Sequence, residues 1–141
     1  MALNVIPGDG TTSNIYVRDR ATGRTELASP GLGGGLANGT CEGPSLSSDG
    51  RFVAFYSDAS NLVPDDTNGV GDIFVRDLKL GTTERVSLGR KGVQGNGPTI
   101  TIFTTISADG RVVPFASEAT NLVSRDTNGA EDVFVRSSDG K

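Results

Sequence analysis

The sequence predicts an all-β fold built from repeated four-stranded antiparallel units, and three observations predict it. Ser47 to Arg76 reappears as Ser107 to Arg136 with 19 of 30 positions identical, sixty residues on. Differences between the copies alternate: Val53, Phe55, Ser57 and Ala59 are kept, while Phe52, Ala54, Tyr56 and Asp58 change. That two-residue period belongs to a strand with one constant face and one variable face. Twenty glycines and 35% apolar residues complete a turn-rich, β-type composition. A fixed period signals a supersecondary unit copied in tandem, each copy covered by its neighbour.

Within one unit the elements follow in order. A short strand at Ser45 to Ser47 leads into the turn pair Asp49-Gly50, which starts a hairpin into Phe52 to Ser57. The loop Asn61 to Gly71 follows. Asp72 to Asp77 then forms a third strand, with Ile73 and Val75 on one side and Phe74 on the other. Leu80-Gly81-Thr82 turns the chain into a fourth strand, Thr83 to Leu88. Four short strands joined by Gly and Asn turns describe a β-propeller blade better than a sandwich. The fold class is therefore a partial β-propeller with a blade split between the termini.

Naming the strands A to D from the axis outward, the 1–141 repeat domain reads as three parts. Residues 1–29 hold a partial blade (C-D), 37–88 a full blade, and 96–136 a blade lacking its last strand. Asn4 to Pro7 and Ile15 to Asp19 are the partial first copy, matching Asn61 to Pro64 and Ile73 to Asp77. Asn38-Gly39 and Asn96-Gly97 lie 58 apart, so two residues are added within Pro98 to Thr105. Pro114 replaces Ala54 and removes a ladder donor, which predicts an edge or a bend there. Gly31 to Gly39 lacks the Lys-Ser/Thr pair of a phosphate loop and reads as a flexible linker between blades. Unpaired strand edges invite association. They predict a homo-oligomer by strand complementation, the N-terminal strands of one subunit completing the C-terminal blade of the next. The alternative is end strands that pair within one chain as a monomeric sandwich.

Composition excludes several functions. There is no histidine, which removes Ser-His-Asp and Cys-His nucleophiles and every His-containing zinc site from this chain. Cys41 is the only cysteine, so no intrachain disulfide forms. A net charge of -4 with scattered basic residues speaks against nucleic acid. No apolar run approaches the roughly 20 residues of a membrane span. Met1 to Gly10 has no basic head followed by an apolar block, so a signal peptide is not predicted.

Three sets of residues are candidates for chemistry. The loops Asp65 to Asp72 and Arg125 to Asp132 resemble part of a calcium loop, with Asp66, Asn68 and Asp72, then Asp126, Asn128 and Asp132, as oxygen ligands around a glycine turn. Pro64 or Ser124 takes the first ligand position and no carboxylate takes the twelfth. In the competing reading Asn68-Gly69 makes the turn and Asp66 caps it. Arg18, Arg76 and Arg136 recur on strand C, beside Asp19 and Asp77 in two copies. Such a row either binds an anion or forms a structural ion pair between neighbouring blades, and repetition favours structure. Asp58, Asp65, Asp66 and Glu118 are candidates for histidine-free glycoside cleavage by residue type alone.

Ser-x-Asp-Gly-Arg-x-Val-Ala-Phe over Ser47 to Phe55, Asn61 to Pro64, Asp66 to Gly69, Asp72 to Asp77 and Gly81 to Ser87 together resemble the TolB-like (WD-like) repeats of bacterial β-propellers. The resemblance implies a blade fold, an extracytoplasmic setting, and a binding scaffold or an accessory domain beside an enzyme. Apart from the resemblance, the residues predict no catalytic residue and no cofactor beyond a candidate calcium ion, with a protein or glycan as candidate ligand. Pro114, the two-residue insertion and the degenerate loop Gly10 to Asn14 depart from the pattern.

Overall fold

A computed structural model describes residues 12–100 and 104–138. The first-copy residues Asn4 to Pro7, residues 101–103 of the segment expected to hold the insertion, and the N-terminal decapeptide lie outside the described residues. Eight strands form three antiparallel sheets and no α-helix occurs among the described residues. The first sheet pairs β1 (Tyr16–Arg18) with β2 (Thr25–Leu27). The second has the order β3 (Cys41–Leu46), β4 (Phe52–Ser57), β5 (Asp72–Asp77), β6 (Thr82–Arg85). The third pairs β7 (Val112–Ser117) with β8 (Asp132–Ser137).

β4 and β5 occupy the residues that alternation predicts. β3 is longer than expected, because a register shift between Glu42 and Ser45 breaks the period. Gly43 there takes φ 57°, and Pro44 follows it. β6 stops early. Ser87 folds its hydroxyl inward to accept the Ile73 N–H at 3.0 Å, and Leu88 turns back to bridge Gln94. The predicted linker Gly31 to Gly39 is an ordered turn rather than a loose one. Leu32–Gly34 forms one 3-10 turn closed by a Pro30–Leu36 bridge, and Arg90–Gly92 forms its counterpart closed by Leu88–Gln94. Glycine supplies the left-handed residue in one turn (Gly33, φ 83°), where Lys91 adopts φ 62° in the other.

Pro114 sits as the missing donor requires. Ala116 O accepts the Ile100 N–H and Glu118 N–H donates to Pro98 O, so even-numbered backbone groups of β7 point toward the preceding segment. Proline at 114 removes the donor on that side. Only a Thr99–Ser117 bridge is found there among the described residues, while the β7–β8 ladder runs unbroken.

The sheets pack face to face, and the packing repeats. Ile15 and Ala28 of the first sheet bury against Val53, Phe55, Ala59 and Leu62 of the second. Ile73, Val75 and Val86 of the second bury against Val113, Phe115, Ala119 and Leu122 of the third. Phe55 stacks on Phe74 at 5.9 Å between centroids, and Phe115 on Phe134 at 5.6 Å. Backbone bonds stitch each sheet to the next in the same way, Cys41 N–H to Ser13 O and Thr99 N–H to Gly71 O. Cys41 itself is buried, and burial pushes its thiol pKa upward.

The linkers are held by the repeated asparagines. Asn38 and Ser60 exchange two hydrogen bonds, as do Asn96 and Thr120. Asn61 donates to Leu36 O and Asn121 to Gln94 O. Gly39 and Gly97 lie so close to the opposite chain that a Cβ would meet the backbone at Ala59 or Ala119.

Arg51 and Asp77 lock the second sheet across its end. Arg51 Nη2 lies 2.7 Å from Asp77 Oδ2, and its Nε donates at 3.1 Å to both oxygens. This fork holds the Asp77 carboxyl down to about 2, with backbone N–H groups of Leu80 and Lys79 helping. A depressed folded-state pKa adds stability above the unfolded value near 3.9, lost as pH falls through the folded one. Arg51→Ala is therefore expected to lower the urea midpoint at pH 7. The gap to the parent should close between about pH 4 and pH 2, and a gap that persists at pH 2 contradicts the assignment.

Candidate functional site

The first candidate calcium loop closes on an arginine instead of presenting an open cradle. Asp66 and Asp72 both reach the Arg85 guanidinium, their oxygens 3.3 and 3.0 Å from Nη1. All three side chains are at most 5% exposed. Ser87 Oγ donates to the other Asp72 oxygen at 2.6 Å, and Asn68 Nδ2 donates to Asp72 Oδ2 at 2.9 Å. Asn68 thus offers a donor to this centre where a metal needs an oxygen. The cation that Asp66 and Asp72 bind in this structure is the Arg85 side chain. Burial raises the Asp66 carboxyl above its ordinary range, with Arg85 opposing and Asp72 reinforcing.

Gln94 completes the centre from the linker. Its Oε1 accepts from Arg85 Nη1 and from the N–H groups of Thr67 and Asn68, and its Nε2 donates to Asp65 O and Thr67 Oγ1. Asp65 contributes backbone alone to this arrangement, at φ 56°. Neither Arg85 nor Gln94 is among the sequence candidates. The signal lay inside the chain: 58 residues earlier, Asn14 stands for Asp72 and Leu27 for Arg85, while Ser29 matches Ser87. Carboxylate and guanidinium disappear together in that copy. The serine there keeps the same wiring, with Ser29 Oγ accepting the Ile15 N–H at 2.9 Å.

The second loop has the same shape without the arginine. Asn128 Nδ2 donates to Asp132 Oδ2 at 2.9 Å, matching the first loop, and Arg125 adopts φ 68° where Asp65 has 56°. Asn128 again turns a donor inward. Asp132 opens β8, beside which no strand equivalent to β6 is found among the described residues, and Asp126 lies in the loop before it. No group of three or more His, Cys, Asp or Glu side chains suited to a metal occurs among the described residues.

Arg18 and Arg76 act within their own sheets, and among the described residues neither forms an ion pair between sheets. Arg18 donates to Thr25 Oγ1 at 2.9 Å, and Arg76 to Thr83 Oγ1 at 3.1 Å and Gly81 O at 2.8 Å. Each arginine braces its own hairpin. Arg136 occupies the matching place on β8. Burial lowers the Arg76 pKa, opposed by the field of Glu26 in the first sheet and by Asp77. Asp19 and Asp77 cap the following turns through their backbone N–H groups.

The carboxylates do not assemble an acid and a base. Asp58 accepts the Thr40 N–H at 2.6 Å, Asp66 is committed to Arg85, and Asp65 and Glu118 are exposed. A cleft of about 370 Å³ between the second and third sheets is lined by Arg51, Glu84, Asp109, Arg111 and Arg136 among others. Its charges are mixed, and no single sign converges on one point. No protein-family model matches this chain, and no curated protein does.

Removing Arg85 leaves two buried carboxylates without a counter-charge, which typically costs about 3–5 kcal/mol. Arg85→Leu is expected to lower unfolding free energy by that order in urea titrations. Adding Asp66→Asn and Asp72→Asn, which removes both unpaired charges, should restore most of the loss.

Proposed function

We propose that this chain is a run of TolB-like β-propeller blades acting as a non-catalytic module that binds or scaffolds. The observation that supports this reading best is the recurrence of one inter-sheet interface, Ile15 and Ala28 on Val53 and Phe55, then Ile73 and Val75 on Val113 and Phe115. Faces that repeat side by side favour radial stacking over a two-layer sandwich. The carboxylates of the polar cluster at the end of the second sheet are spent on internal partners, Asp66 and Asp72 on Arg85 and Asp72 also on Ser87. A screen against glycosides and simple esters should give no turnover above buffer. Turnover that disappears in a folded Asp66→Asn variant would establish the rival, a fragment of a carboxylate hydrolase.

A second reading is self-assembly through the split outer blades, with the N-terminal strands of one subunit completing the C-terminal blade of the next. Val133 and Val135 favour it, being 74% and 66% exposed where Ile73 and Val75 are 0% and 6%. Light scattering at micromolar concentration is expected to show a head-to-tail oligomer. A monomer whose strands all resist hydrogen exchange would overturn this second reading.

A further inference from the structure

We infer that Asn128 is a self-modifying site, at which the Gly129 nitrogen attacks the side-chain amide and converts it to aspartate or isoaspartate. Asn68 is a slower copy of the same site. The only co-reactant is water.

The chain holds four Asn-Gly pairs, beginning at Asn38, Asn68, Asn96 and Asn128. Glycine leaves the attacking nitrogen unhindered in all of them, so sequence alone ranks them equally. The structure divides them in two. Asn38 and Asn96 are clamped by another segment of the chain. Their Oδ1 atoms accept the N–H groups of Ser60 and Thr120, both at 2.9 Å, and their Nδ2 atoms donate to the hydroxyls of the same residues. Their own N–H groups donate to Asn61 and Asn121. Gly39 and Gly97 are walled in as well, since a Cβ there would lie 2.6 and 2.9 Å from the Ala59 and Ala119 nitrogens. The rotation that brings glycine nitrogen to amide carbon is therefore blocked at both.

In the two loops the amide folds back over its own turn. Ala130 N–H donates to Asn128 Oδ1 at 3.0 Å, and Val70 N–H to Asn68 Oδ1 at 3.5 Å. Such a ring spans the intervening glycine and keeps the amide carbon beside the glycine nitrogen. Gly129 and Gly69 have open space around them, at φ 64° and 69°.

Two neighbours assist the reaction. As Gly129 N bonds to Asn128 Cγ, negative charge builds on Oδ1, where the Ala130 N–H already donates. The Cγ–Nδ2 bond then breaks and the nitrogen leaves as ammonia, taking up through solvent the proton that Gly129 N–H gives up. Asp132 Oδ2, 2.9 Å from Nδ2, stabilises that nitrogen as it gains the proton. Water opens the five-membered imide at either carbonyl. Breaking N–Cγ gives aspartate, and breaking the bond to the main-chain carbonyl carbon gives isoaspartate. Asn68 has the same carboxylate contact, to Asp72 at 2.9 Å, but its N–H contact is longer and Nδ2 is shared with Gly95 O. Either product adds one negative charge and sets a second carboxylate against Asp132 or Asp72.

The whole chain is incubated at mildly alkaline pH, folded and in urea, and mapped at intervals by proteolysis and mass spectrometry. In the folded chain Asn128 is expected to convert about tenfold or more faster than Asn38 and Asn96. It should also convert at least as fast folded as in urea, whereas Asn38 and Asn96 speed up on unfolding. Asp132→Ser should slow conversion of Asn128 several-fold and leave Asn38 at its folded rate. A variant that has lost its fold is recognised by rapid conversion of Asn38, and the ranking in the parent chain then decides alone. Equal rates at the four pairs in the folded chain overturn the inference. So does an Asn128 that reacts faster unfolded than folded, or a folded Asp132→Ser chain that converts at the parent rate.

Discussion

The second sheet has two apolar faces and too few residues to cover either by itself. The central strands β4 and β5 place Val53, Phe55 and Phe74 on one side and Ala54, Ile73 and Val75 on the other. Fully burying one such side chain is worth about 1.5–3 kcal/mol, so covering both faces stabilises the sheet. The first sheet covers one and the third covers the other, at the same register each time. The remaining features follow from that demand. Linkers must return the chain to the same starting point, so the Asn38–Ser60 and Asn96–Thr120 clamps recur, and glycine is kept where chains nearly touch.

Polar residues do most of their bonding at the sheet ends, where the hydrophobic face runs out and backbone groups need partners. The Ser-x-Asp-Gly-Arg segment shows the economy of this. Ser47 Oγ takes the Phe52 N–H and donates to Asp49, Gly50 turns at φ 72°, and Arg51 reaches across to Asp77. In the third sheet Ser107, Asp109 and Gly110 repeat the turn. The far carboxylate is replaced there by Ser137, and Arg111 faces a different environment. Repetition is thus strict for backbone-directed bonds and looser for side-chain pairs.

The Asp66–Arg85–Asp72 centre is a case where charge is conserved as a set. Buried ions are tolerated only with partners, so neutralising one member forces the others to change. The first copy replaced carboxylate and guanidinium together, with Asn14 and Leu27. The third kept both carboxylates on residues whose guanidinium partner lies on no described strand.

The sequence by itself determined the all-β class, β4 and β5 residue for residue, the Asp-Gly turns and the sidedness of Ile73, Val75 and Phe74. These follow from local rules: strand alternation has a period of two, and turns need particular φ values that few residues supply. β3 and β6 were only partly legible, since a bulge at Gly43 and the inward turn of Ser87 break the alternation that reveals a strand. Tertiary structure decided the chemistry of the Asp-rich loop. Asp66 and Asn68 in an Asp-x-Asn-Gly run have the same local pattern whether their cation is calcium or arginine. Arg85 arrives from 19 residues away and Gln94 from 28, counted from Asp66, so no local spacing names them. Which sheet covers which face is decided the same way, because apolar burial is non-directional and only the assembled chain brings Ile73 to Phe115.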